Sequence, residues 1–344
     1  MGSTATDTTS ETTTSAASSD PTGGVETTVG VGPFDPKILY IAGGAGPEAR
    51  ASWMNLDGSD ATPITSGSSA ESRAIWSRNG AYVLLNRSKD IWRVIPETGE
   101  ELNLTHGGGH SIVVDASPDG LWVLFSGDRE PGLGLYRVPI YGGDAEVIAL
   151  TDDINVQGFE ARYSPDSHKI AYTVYGSAAE YPLYIADEFG KGVIEVHGID
   201  ASGAPTWSPD GAQVAVHASL GPEESAVFRV DATGAGLTRI TSSLVASYPR
   251  WSPDGSRIAF YGSDDAKGDH RHYVGVVDPD GENQRLLSFA SCYLPDWSPD
   301  GKSLVVGCLD EDPPTGIYIV DVESGAPTML LADLNLSWTP LWRP

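Results

Sequence analysis

Positive charge is what this chain has least of. Against 47 Asp and Glu residues stand 21 Lys and Arg, only six of them lysine, and the formal charge is −26 at neutral pH. Gripping a phosphate backbone takes clustered Lys and Arg, so nucleic acid is excluded as a partner. No run of 18 apolar residues exists, which removes a membrane-spanning helix. No stretch keeps a sustained 3.6-residue apolar period, which argues against a helical fold. A G-x-S-x-G nucleophile elbow is also missing, and with it the hydrolase chemistry that motif supports. Cysteine is limited to Cys292 and Cys308. What the chain holds in quantity is glycine (40), proline (24) and aromatic residues (9%), the make-up of a turn-rich all-β protein.

Within that background the pentapeptide Trp-Ser-Pro-Asp-Gly begins at Trp207, Trp251 and Trp297. Degraded copies begin at Tyr163, Ala116 and Trp76, and Trp342-Arg-Pro repeats the start of the motif once more. Successive first positions lie 40, 47, 44, 44, 46 and 45 residues apart. A period in this range marks an array of supersecondary units. The unit from Pro205 shows the internal order: the motif, an apolar run at Gln213–His217, a variable loop, then Ala226–Asp231, a Gly-rich turn and Leu237–Thr241. Four short strands in about 45 residues make a propeller blade.

The repeated residues have structural work to do. Proline presets φ for a tight turn, Asp caps the turn backbone and Gly supplies positive φ. A large flat ring at the end of the innermost strand, as at Trp76, Trp207, Trp251, Trp297 and Trp342, fills the wedge between blades. The first strand, Lys37–Ile41, matches the second strand of a unit, and its missing inner strand lies in Ser337–Trp342. The last strand thus completes the first blade and closes the ring, removing open sheet edges. This predicts seven blades over residues 33–344 and a monomer, with a six-bladed ring carrying one aberrant unit as the alternative.

The repeat resembles that of TolB-like propeller proteins over about residues 37–344. Within that family the motif residues are structural, so the resemblance carries no functional side chain onto this chain. TolB has an additional N-terminal α/β domain for which the residues before 37 leave no room, and a bare propeller is expected. The propellers of prolyl-oligopeptidase-type and tricorn-type proteases are similar, but their catalytic domains lie elsewhere in the chain. At fold level there is also a likeness to oligogalacturonate lyases, which bind a metal through channel histidines. His106, His110 and His217 are the candidates here for that role, although an acidic protein is a poor receptor for a polyanionic sugar.

Residues 1–32 are low-complexity Thr/Ser and are expected to be disordered. They resemble the stalk that follows the lipidated Cys of a bacterial lipoprotein, which implies a periplasmic or outer-membrane-anchored protein with a lipid anchor in its precursor. The alternative is a plain flexible terminus. Cys292 and Cys308 sit symmetrically about the last Trp-Ser-Pro-Asp-Gly turn, opposite or nearly opposite one another in a hairpin, and a disulfide is expected, with buried free thiols as the alternative. An oxidising compartment agrees with that.

The variable loops share one face of the ring, are rich in acids, and are the expected interaction surface. The acidity attracts cations or a basic partner. The longest loop carries Asp264, Asp265 and Asp269, oxygen ligands for calcium; a solvated acidic loop is the alternative, and the spacing is not that of an EF-hand. His106–His110 contains HGGG, which resembles an esterase oxyanion loop, yet falls where a fourth-to-first strand connection belongs and reads as a flexible glycine loop. The sequence therefore points to a non-catalytic, extracytoplasmic interaction module binding a protein or cell-envelope partner, with no cofactor. The rival is a metal-dependent lyase or hydrolase working on a saccharide or peptide in the channel.

Overall fold

Short runs of Val, Ile, Leu and aromatics, each cut off by a turn, leave this chain few options beyond a meander of antiparallel strands. The computed structural model describes residues 35–43, 46–66, 70–176, 181–221, 224–242, 245–263, 272–287, 292–311, 314–332 and 338–344. The Thr/Ser-rich stretch at 1–32 and the triad Asp264, Asp265 and Asp269 lie outside the described residues. Among the described residues, all regular structure is β: seven four-stranded antiparallel sheets form a seven-bladed propeller. Six blades run in simple sequence order, with inner strands Glu71–Trp76, His110–Ala116, Val156–Tyr163, Asp200–Trp207, Val245–Trp251 and Cys292–Trp297. We number them blades 2 to 7.

Blade 1 is closed as the sequence predicts. Its outer strands are Ile38–Ala42, Arg50–Met54 and Thr62–Pro63, and its inner strand is Trp338–Trp342, paired in the register Ile38 to Trp342 and Leu39 to Leu341. Arg343 extends the closure: its buried guanidinium donates to the Gly80 carbonyl at 2.8 Å and pairs with Glu97 in blade 2.

The motif serine turns out to organise each turn. In six blades its hydroxyl (Ser77, Ser117, Ser164, Ser208, Ser252, Ser298) donates to the Asn or Asp two residues on, at 2.5–2.8 Å. The same hydroxyl accepts the N–H five residues on at 2.9–3.0 Å. All six serines are buried. The fifth motif position has φ between 65° and 74°, glycine in five blades and Ser167 in blade 4.

The motif tryptophans are buried between neighbouring blades. Trp207 packs on Leu183 and Ile185 of blade 4 and Val214 and Val216 of its own blade. Trp297 does the same between Val274 and Leu304, and Trp76 between Leu39 and Val83. Each ring removes about 200 Å² of apolar surface from water, a gross gain of about 5 kcal/mol. A disulfide joins Cys292 to Cys308 directly across the first two strands of blade 7.

Candidate functional site

The inner strands end at the turn face, and alternation along a strand sends every second side chain toward the axis. The residue just before the first position of each motif lines the channel. Read around the ring these are Leu341, Ile75, Asp115, Arg162, Thr206, Arg250 and Asp296. Above them the third motif residue forms a rim of prolines, with Arg78 standing where the other blades have proline. Rim, ring and the motif aromatics enclose a funnel of about 540 Å³, within the range of small-molecule sites.

The charges in this funnel are unevenly matched. Arg78 donates to both oxygens of Asp115 at 3.0 and 3.1 Å, and Asp115 also accepts the Tyr163 N–H at 2.9 Å. Asp296 accepts the Trp342 N–H at 2.9 Å. Burial pushes its carboxyl above the ordinary range despite the nearby positive charges of Arg250 and Arg78. Arg162 donates to the backbone carbonyls of Val114 and Ala161. Arg250 makes only a long contact of 3.4 Å to the Pro249 carbonyl. Burial pulls Arg162 down to about 10 and lowers Arg250 as well; Asp115 opposes this at Arg162 and Asp296 at Arg250, while neighbouring guanidiniums add to it.

One step deeper, Arg73 of blade 2 makes a bidentate pair with Glu160 of blade 4 at 2.6 and 2.7 Å, passing over the inner edge of blade 3. Burial opposes both charges, but the pair outweighs it, raising Arg73 and lowering Glu160. Arg73 has φ of 39°, and Tyr248 and Leu294, at the same motif position, have 52° and 45°. Each sits at a β-bulge in its inner strand, and bulges re-aim side chains at functional surfaces. Trp207 and Trp297 donate their indole N–H groups to the carbonyls of Arg162 and Arg250 at 3.0 and 2.9 Å. The wedge tryptophans thus fix the wall that carries the two arginines.

The histidines singled out from the sequence are dispersed. His106 is exposed in the connection between blades 2 and 3, and His110 is exposed at the start of the blade 3 inner strand. His217 is buried on the second strand of blade 5, accepting the Tyr248 N–H at 3.2 Å, and burial drops it to about 4, so it is neutral. Among the described residues no three His, Cys, Asp or Glu side chains group to hold a metal. The glycine-rich segment is the fourth-to-first strand connection expected, and it is pinned: Asp90 accepts from the Gly107 N–H and the Thr105 hydroxyl. The funnel ring escaped the sequence reading. Its signal was available, because one position varies as Ile, Asp, Arg, Thr, Arg, Asp and Leu inside a frame that otherwise repeats.

The opposite face carries the connections between blades and the hairpins joining second to third strands. Ile154, between blades 3 and 4, is 96% exposed, and Leu220 and Leu309 are half exposed near hairpins of blades 5 and 7. Exposed acids surround them: Asp128, Glu130, Asp152, Asp153 and Glu224. On the turn face the exposed rings of Tyr141 and Phe189 rest on buried cations, Arg93 5.7 Å from the Tyr141 ring centre and Arg137 4.7 Å from that of Phe189.

No family model matches the chain. An uncharacterized protein of Agrobacterium fabrum is 33% identical over 86 residues, 25% of this chain, and the match spans 28% of that relative's length. Among solved structures, a TolB-type protein of Agrobacterium tumefaciens matches with 24% identity and a TM-score of 0.55, over 78% of this chain and 96% of that one. TolB of Acinetobacter baumannii matches at 15% identity and 0.58, over 91% and 68%. An oligogalacturonate lyase of Vibrio parahaemolyticus matches at 15% and 0.60, over 86% of each chain. The chain has the β-propeller fold that these proteins share.

Proposed function

We propose that the chain is a non-catalytic, extracytoplasmic protein-interaction module that binds a protein or cell-envelope partner on its acidic loop face. One observation carries this: a large aliphatic side chain, Ile154, stands almost wholly in water, with Leu220 and Leu309 on the same face among exposed acids. Apolar anchors inside a polar rim are the make-up of a protein interface. The acids select a basic partner surface. The disulfide and the structural likeness to TolB support a location outside the cytoplasm, and residues 1–32 serve as the stalk, lipid-anchored in the precursor. Carboxylate-reactive cross-linking of the full chain in envelope extract tests the reading. Cross-links are expected on residues 151–155 and 224 rather than on the turn face, and the reverse pattern refutes it.

The rival, a metal-dependent lyase or hydrolase in the channel, draws on the likeness to oligogalacturonate lyase. Elemental analysis separates the two: a stoichiometric transition metal in the purified protein moves the assignment to the enzyme. Calcium with a chelator-sensitive melt assigns an ion to the acidic loops and leaves the interaction reading in place.

A further inference from the structure

We propose that the turn-face funnel binds a small oxyanionic ligand, carboxylate- or phosphate-bearing, through Arg162 and Arg250. This site lies on the face opposite the interaction surface and stands or falls independently of it.

The fold does not call for these arginines. The same ring position holds Ile75 and Thr206 in blades that pack by the same turn and the same wedge tryptophan, and Leu341 beside the wedge Trp342 in blade 1. A guanidinium placed where isoleucine or threonine also serves has another use. Neither makes an ion pair with a wall carboxylate, although Arg250 and Asp296 favour each other's charge through space. Asp115 is engaged by Arg78 and the Tyr163 N–H, Glu160 by Arg73, and Asp296 by the Trp342 N–H. Among the described residues no carboxylate lies within ion-pair distance of Arg162 or Arg250, whose hydrogen bonds run to backbone carbonyls.

Holding an unmatched cation away from water is costly, and here two are held near one another. Burial lowers the proton affinity of both, Arg250 lowers that of Arg162 further, and Arg78 lowers that of both. An anion in the funnel relieves both penalties at once. The planar five-donor fork of arginine matches carboxylate and phosphate oxygens, and such bonds are among the stronger ones available. The funnel's 540 Å³ suits a ligand of metabolite size.

The overall charge of −26 does not overrule this. At physiological ionic strength the screening length is about 8 Å, so carboxylates on the outer strands and loops are largely screened from the funnel. The guanidiniums on its wall are in direct contact with whatever enters. Local charge decides recognition here, and the whole-molecule charge that argues against polyanions does not describe this cavity.

The test is calorimetric titration of the full chain with citrate and, separately, inorganic phosphate, at matched ionic strength. Saturable binding of either at one per chain is expected, and the tighter of the two arms identifies whether the site reads carboxylate or phosphate. Arg162→Gln and Arg250→Gln should each weaken it about tenfold, with the double variant abolishing it, whereas Arg239→Gln on the outermost strand of blade 5, away from the funnel, leaves it intact. Since each substitution removes an unmatched buried charge, the variants should melt no lower than wild type, so loss of binding is not loss of fold. No saturable binding of either anion to the wild-type protein overturns the proposal, as does undiminished binding in a folded double variant.

Discussion

Ser167 occupies a turn position that five sister turns give to glycine, at φ of 65°. A side chain in this left-handed region costs about 1 kcal/mol. Ser167 offsets that strain with a bond to the neighbouring blade, its hydroxyl accepting the Asp119 N–H at 3.0 Å. The two substitutions that separate these effects predict different outcomes. Ser167→Gly removes strain and bond together and should be close to neutral. Ser167→Ala keeps the strain and loses the bond, and should cost about 1 kcal/mol. Urea denaturation of both variants checks this. Equal midpoints for the wild type and Ser167→Ala would show that the bond between turns contributes nothing.

At the scale of elements, blade 7 combines a motif turn with a covalent tie. The bond from Cys292 to Cys308 closes a loop with a sequence separation of 16. In the chain-entropy account such a loop contributes about 3 kcal/mol by restricting the unfolded chain. Reduction should lower the unfolding free energy by about that amount, read as a shift in urea midpoint with and without reductant. Two free thiols in denatured, non-reduced protein would contradict the assignment. Elements of this kind were legible in the sequence because their physics is local. Proline, Asp and Gly fix a turn wherever they occur together, and two cysteines symmetric about that turn must face each other. The funnel was not legible in the same way. Arg162 and Arg250 are unremarkable in their own strands, and acquire meaning only when closure of the ring turns seven separate strand ends toward one axis. His217 misled for the converse reason: a histidine near a loop looks available, but its strand places it under the bulge at Tyr248, in neutral form.

For the molecule as a whole, the repeated turns add into a shared response to acid. Asp166, Asp210, Asp254 and Asp300 are all held below the usual carboxylate range, chiefly by the serine hydroxyl two residues earlier. A carboxyl whose folded-state pKa is depressed contributes stability that is complete above its unfolded value, and that is lost as pH falls through the folded one. Surface carboxylates act oppositely, since protonating them relieves the repulsion within a chain of charge −26. Screening with salt suppresses that second effect. In about 0.5 M salt the melting temperature should hold steady down to about pH 4 and fall below it; a melt that stays constant through pH 2.5 would show that the turn aspartates are energetically idle.

If this propeller works by binding through its loop face, as proposed, partner capture depends on the apolar residues there. The most direct measurement compares partner capture from envelope extract by the wild-type chain, by Ile154→Asp with Leu220→Asp, and by Tyr141→Ala on the turn face. All three should fold alike, because the altered residues are exposed. A partner retained by the wild type and by Tyr141→Ala is expected to be lost by the loop-face variant. Undiminished capture by that variant, or loss with Tyr141→Ala instead, would contradict it.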